Sequence, residues 1–302
     1  MKNEKGFALI LTLIITALIA TITIGMIHQV YVSVSLSRSF RDAQQASLMA
    51  ESGAEGAVNL LRDLLADREY TSIISPMKQK DKAGSLEISI SEESGKINLN
   101  DLVRPDGEIN DDFKAMLKRL GESLDIPEEA WEALADWLDA DDLARSSGGA
   151  ETLYYQTQSP LYKAGNTRLT AIAELSLVKG FPPGTVDRLS PFVTVFPKNS
   201  GGAISLININ TAPKEVLMSM SDKMDDGLAD KIMDRRRFQP YKTLGEISTI
   251  ANDAALSQQL ARHATVKGDI FKITVLAKAG DSTRVVETIV RLNGKCLSWR
   301  EY

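Results

Sequence analysis

The 302 residues include a single cysteine, Cys296, and two histidines, His28 and His263. One thiol excludes an intrachain disulfide framework and a CxxC zinc site, and two distant imidazoles leave little for a histidine-centred active site. Any metal must be held by oxygen. A basic excess is also missing: 35 Lys+Arg against 40 Asp+Glu give a net charge of −5, which disfavours a general nucleic-acid binder. There is no P-loop, no nucleophile elbow, no H-E-x-x-H and no glycine fingerprint after a strand. The acidic stretches carry no histidine or lysine placed as a proton partner, so the chain reads as a non-enzyme. The rest, 43% hydrophobic and 25% charged, is ordinary globular composition at a length that suggests about two domains.

What is present begins at the N-terminus. Phe7 to Ile27 carries no charge, and the next charge is Arg38. At ~1.5 Å per residue this run covers roughly 30 Å, the hydrocarbon thickness of a bilayer. It is longer than the apolar core of a secretory signal and no small-residue cleavage site follows it. Lys2 and Lys5 precede it, so the positive-inside tendency predicts a cytoplasmic N-terminus, one pass, and the bulk of the chain across the membrane. Beyond the span Val32, Leu36, Phe40, Ala43, Leu48, Ala54, Ala57, Val58, Leu61 and Leu65 recur at roughly helical spacing with no proline before Pro76. One long helix is expected to continue from lipid into water.

Ser85 to Ser91 alternates apolar and polar, and Lys96 to Leu99 resumes the period after Glu92-Glu93-Ser94-Gly95, which predicts a hairpin. Phe271 to Ala277 and Thr283 to Leu292 flank Gly280-Asp281-Ser282 and predict a second. Between them the spacing is helical, as in Phe113-Met116-Leu117-Leu120, Trp131-Leu134-Ala135-Leu138 and Val216-Leu217-Met220. A helical domain is therefore inserted into a helix-plus-sheet domain. Inside it Ile97-Asn98-Leu99-Asn100 and Ile207-Asn208-Ile209-Asn210 each precede helices, and the two segments end near Leu169 to Leu175 and Tyr241 to Ile247. Two related units fit this weak repeat.

Residues 98–206 hold seventeen acids against ten bases, and Asp136, Asp139, Asp141 and Asp142 crowd together before a loop, Arg145 to Glu151, that can fold an acid back. Hard cations such as Ca²⁺ take six to eight oxygens. The spacing is not that of an EF-hand: counted from Asp139 the sixth position is Ala144 and the twelfth is Ala150. A solvated helix end with spare acids is the competing reading. Tyr154, Tyr155 and Tyr162 beside this loop, and Trp131 and Trp137 before it, read as core packing. Residues 207–265 carry eight acids and eight bases. The hairpin position Lys223 to Gly227 has two acids and one glycine. Phosphate binding is not favoured there, and Arg235-Arg236-Arg237 reads as a solvated helix C-terminus.

Three motifs in order carry a family resemblance. Lys5-Gly6-Phe7-Ala8-Leu9-Ile10 resembles the type IV prepilin signal, which implies cleavage after Gly6 and methylation of Phe7 by a prepilin peptidase. Most such chains have glutamate at the fifth mature position; here it is Leu11, a departure characteristic of the K subunit, the minor pseudopilin of the type II secretion system. D-W-L-D-x-D followed by G-A-E-x-x-Y-Y (Asp136 to Asp141, Gly149 to Tyr155) and the I-N-I-N-T-A opening of a helix-hairpin-helix unit complete the resemblance. It covers nearly the whole chain.

The resemblance implies an α+β fold: a pilin-like transmembrane helix packed on an antiparallel sheet, with a large inserted all-α domain containing a helix-hairpin-helix (SAM-like) unit. The expected divisions are a leader over 1–6, the pilin helix and first strands over 7–97 with the membrane span at 7–27, the insertion over 98–268 in units of about 98–205 and 206–268, and closing strands over 269–302. It further implies calcium in the helical domain, with Asp136, Asp139, Asp141, Asp142 and Glu151 as candidate ligands. The implied role is to cap a pseudopilus tip and help start its assembly. Expected partners are I-, J- and H-type pseudopilins, the prepilin peptidase and inner-membrane lipid, with no nucleic acid and with the bulk of the chain in the periplasm. The alternatives are a membrane-anchored helix-hairpin-helix DNA binder and a type IV pilus minor pilin.

Overall fold

The computed structural model describes residues 4–81, 84–145, 148–196, 204–247 and 253–302; Lys2 and the loop residues Ser146-Ser147 lie outside them. Helix α1, Glu4–Leu65, is continuous. In the apolar run the hydroxyls of Thr12, Thr16, Thr21 and Thr23 donate to carbonyls of the preceding turn at 2.8–3.0 Å, which satisfies them without water. Further along, Ala46, Ala50, Ala54, Ala57, Leu61 and Leu65 form a buried stripe. Its small residues let the helix lie close against the sheet: a Cβ on Gly53 would stand 3.0 Å from Val275 Cγ1.

That sheet is antiparallel and five-stranded in the order β1-β2-β7-β8-β9: Met77–Lys80, Ser85–Glu92, Ile270–Ala279, Ser282–Arg291 and Cys296–Glu301. Ile273, Val275, Ala277 and Val286 face α1 and are buried, while Lys272, Thr274 and Lys278 alternate outward. The second expected hairpin is present. Ala279 pairs with Ser282 across a two-residue turn in which Gly280 has φ +54, a left-handed conformation that favours glycine.

The first expected hairpin is not. Glu93–Gly95 forms a 3₁₀ turn, and β3, Ile97–Asn98, pairs in parallel with β4, Val193–Thr194. β2 instead pairs along its whole length with β7, Ser85 with Lys278 through Glu92 with Phe271. Ile97, Asn98 and Leu99 are all buried, so this stretch lacks the in-out alternation that a half-solvated strand needs.

From β3 to β6 the chain forms two helical units. The first contains α2 (Asp111–Leu124), α3 (Glu128–Leu138), α4 (Thr152–Tyr155) and α5 (Pro183–Leu189). The second runs from β5 (Ile207–Asn208) through α6 (Lys214–Ser219), α7 (Asp226–Phe238) and α8 (Ala254–His263) to β6 (Ala264–Thr265), which lies parallel to β5. One geometry recurs in both. Asn100 takes Leu169 N on Oδ1 and donates Nδ2 to the Leu169 and Val195 carbonyls at 2.8–2.9 Å. Asn210 does the same with Tyr241 N, Tyr241 O and Val266 O. Glu174 and Glu246 then each accept two backbone amides just after these sites.

Asn100 thus satisfies three buried backbone groups and Asn210 two, with a third that is partly buried, and an unmet buried group costs roughly 1–3 kcal/mol. Asn100→Ala and Asn210→Ala are each expected to lower unfolding free energy by about 3 kcal/mol or more in urea titrations. A loss below about 1 kcal/mol would show that these bonds do not hold the units together.

Candidate functional site

The acidic cluster sits where α3 ends. Trp131, Leu134, Ala135 and Leu138 bury one face of that helix. Asp136 is also buried, because the following loop returns over it: Arg145 N and Ala150 N donate to Asp136 Oδ1 and Oδ2 at 3.3 and 2.9 Å. This return brings Glu151 beside α3. Asp136, Asp139 and Glu151 place one carboxylate oxygen each within 4.8 Å of one another, with exposures of 0%, 3% and 5%.

Arg145 provides one positive charge, with Nε and Nη2 at 2.8 and 2.7 Å from Asp139 Oδ2, while Nη2 also donates to Gly107 O. Three carboxylates against one guanidinium leave a formal charge of −2. Asp139 Oδ1 and both oxygens of Glu151 are buried and have no hydrogen-bond partner. Burial pushes all three carboxyls up, and Glu151, with Asp136 and Asp139 adding to the effect, rises to about 7. Three buried carboxylates this close, three of their oxygens without a partner and no nitrogen or sulfur donor among them, fit a hard divalent cation. Arg145 holds Asp139 Oδ2 and leaves Oδ1 without a partner, so it is a positioning residue.

Two expected ligands stand outside this group. Asp141 is exposed and its Oδ1 caps Leu143 N at 2.8 Å. Asp142 is exposed, and Oδ1 accepts from Thr152 Oγ1 at 2.7 Å and Asn166 Nδ2 at 3.4 Å, bonds that hold its carboxyl below the usual range. Sequence reasoning missed Arg145, whose guanidinium no spacing rule ties to Asp139, and Lys179, whose Nζ donates to the Gly148 and Gly149 carbonyls.

The aromatic residues clamp the loop. Trp137 meets Tyr155 edge-on at 5.1 Å and Tyr155 stacks on Tyr162 at 5.1 Å. Trp131 and Tyr155 are core, as expected, whereas Tyr154 is 37% exposed. In the second unit the arginine triplet differs from its reading as a solvated end. Arg236 is buried and donates to Ile209 O at 2.5 Å. Arg235 pairs with Glu246 and lies over the Tyr241 ring at 4.7 Å. The amide at the start of α7 is also engaged, with Leu228 N donating to Asp225 Oδ1 at 2.7 Å.

A membrane-length helix laid on an antiparallel sheet, with a helical domain inserted between the second and third strands of that sheet in chain order, defines a pilin-like membrane-anchored subunit. Two family models, both described as type II secretion system (T2SS), protein K, match residues 95–198 and 207–267. The type II secretion system protein K of Pseudomonas aeruginosa is 32% identical over 260 residues, spanning 80% of this chain and 75% of that protein. Its Aeromonas hydrophila counterpart is 26% identical over 320 residues, spanning 95% and 93%. The crystal structure of the GspK-GspI-GspJ complex from enterotoxigenic Escherichia coli shares the fold: TM-score 0.74 and 20% identity over 88% of this chain and 99% of that one. The chain belongs to the type II secretion system protein K family and is a minor pseudopilin.

Proposed function

We propose that this subunit caps the pseudopilus tip and helps initiate its assembly with I- and J-type pseudopilins, and with the H type. The observation that carries this reading is where the extra mass sits. The chain leaves the sheet after Glu92 and returns at Ile270. The two helical units therefore stand at one end of the pilin-like domain. A domain of that size crowds the neighbouring subunit inside a helical fibre, but it is unobstructed at an end with no subunit above. The solved relative's complex with I and J subunits supports the choice of partners.

In this reading the prepilin peptidase cuts after Gly6 and Phe7 is methylated. Helix α1 anchors the chain in inner-membrane lipid, with the helical units in the periplasm. Calcium would be held by Asp136, Asp139 and Glu151, neutralising the unpartnered oxygens of the last two, and Asp141 and Asp142 flank that site. Helices α6 and α7 serve as a helix-hairpin-helix unit in a structural role. The test is co-expression of the full chain with its I- and J-type partners, followed by purification from detergent through a tag on one partner. A stoichiometric three-chain complex is expected. Recovery of I and J together without this chain would contradict the reading.

A further inference from the structure

Comparing the two helical units singles out a contact that the second alone makes among the described residues. In the first unit Asn98 Nδ2 donates to a neutral neighbour, Ser205 Oγ, at 3.0 Å. Its counterpart Asn208 donates outside its own unit, to Glu92 Oε1 at 2.8 Å and Thr71 Oγ1 at 2.7 Å. Glu92 ends β2 and Thr71 lies in the connection after α1. One side-chain amide thus ties the helical units to both parts of the pilin-like domain.

Thr71 Oγ1 also accepts from Gly268 N at 3.0 Å. Thr71 Oγ1 thus takes two N–H donors, one from Asn208 and one from Gly268. The chain at Gly268 runs so close that a Cβ there would stand 1.6 Å from Glu92 Oε1. Thr71, Glu92 and Asn208 are all buried, and Glu92 Oε2 has no hydrogen-bond partner. The charged groups around this carboxyl are few. Asp269 faces it from the segment entering β7. Glu93 and Lys96, in the turn after β2, are paired with each other at 2.7 Å. Arg291 on β8 stands opposite Ile270. The second unit presents Asn208 and Thr211, both uncharged. A carboxyl so placed is costly to ionise and cheap to keep neutral.

We propose that Glu92 is a proton-operated latch on the joint between the helical units and the sheet, which holds while the carboxyl is neutral and loosens when it ionises. Burial pushes this carboxyl up to about 7, with Asp269 adding to the rise and the bonds from Asn208, Thr71 and Thr211 opposing it. The folded value is raised, so the hold is complete below about 4.5 and is lost as pH rises through about 7. The separation corresponds to a change on the order of a hundredfold in the closed-to-open equilibrium across that window.

The test is hydrogen exchange on the full chain in detergent from about pH 5.5 to about pH 8.5, corrected for intrinsic rates, at peptides covering Thr71, Ile209 and Gly268. Protection there is expected to fall at least about tenfold, while peptides covering Asn100 and Leu169, which have the same geometry without the carboxyl, keep theirs. Glu92→Gln keeps an acceptor oxygen and removes the charge, so it should flatten the profile. Gly268→Ala should weaken protection at every pH. The same fall in Glu92→Gln as in the parent, or an equal fall at the Asn100 joint, overturns the latch. Carbon NMR titration of Glu92 in segmentally labelled parent protein gives a second readout that needs no variant. A midpoint near 7 supports the proposal, and one near the ordinary 4.5 overturns it.

Discussion

Calcium at 1 mM should raise the unfolding free energy of the full chain by about 4 kcal/mol if the acidic site binds it about a thousandfold more tightly than that concentration. The gain comes from linkage, since an ion that binds only the folded form shifts the equilibrium by RT ln(1 + [L]/Kd). Asp139→Ala should abolish it. Glu151→Gln should show a reversal of sign. Without calcium it removes a buried carboxylate whose two oxygens have no partner, so the variant should match or exceed the parent in stability. With calcium it loses a ligand and should fall below the parent. Chelator titrations followed by thermal unfolding, beside isothermal titration, read both arms. No binding at millimolar calcium, or unchanged chelator sensitivity in both variants, would return the cluster to a set of acids held by Arg145 and the Ala150 amide.

Leu11→Glu should reduce assembly of the tip complex several-fold rather than improve it. In pilin-like fibres a glutamate at this depth neutralises the terminal amine of a neighbouring subunit, and an unpaired charge in a low-dielectric setting costs several kcal/mol. Leu11 is 46% exposed on the apolar segment of α1 and supplies no such partner. With the leader removed after Gly6, as proposed above, a subunit without the carboxylate would still offer its own Phe7 amine to a glutamate elsewhere, but it would not capture the amine of another chain. That asymmetry suits the outermost member, with later subunits entering beneath it. A new glutamate would therefore stand in lipid without an amine to meet. Quantifying the three-chain complex in membranes, variant against parent, checks this; undiminished recovery would show that the missing carboxylate does not mark an end position.

The long helix was legible because one spacing rule governs it from lipid to the sheet, and the β7–β8 hairpin because Gly280-Asp281 is turn chemistry between alternating runs. The edge strands β1 and β9 were not, since Met77–Lys80 is largely polar and Cys296–Glu301 has little alternation to read. The misread hairpin has a similar cause: Ile97-Asn98-Leu99-Asn100 looks alternating, yet both asparagines are buried, Asn100 bonding the Leu169 and Val195 carbonyls and Asn98 the Ser205 hydroxyl. In the acidic cluster, Asp136 and Asp139 lie three apart at a helix end and share one face, so their meeting was readable. Asp141 and Asp142 follow the helix cap and turn to solvent. Lys179 and Glu92 were invisible because each acquires its role from a contact remote in sequence, and Arg145 because no spacing rule ties a loop guanidinium to Asp139.

The tip position is tested most directly by where this protein lies on assembled fibres. Gold labelling should target exposed Leu143, in the loop after α3, through an epitope inserted beside it in the full chain, on pseudopili sheared from cells that make all partners. Label at one end of each fibre is the expected result. Label recurring along the fibre length, at a density comparable to that at the ends, would contradict the capping role and leave only the pseudopilin assignment standing.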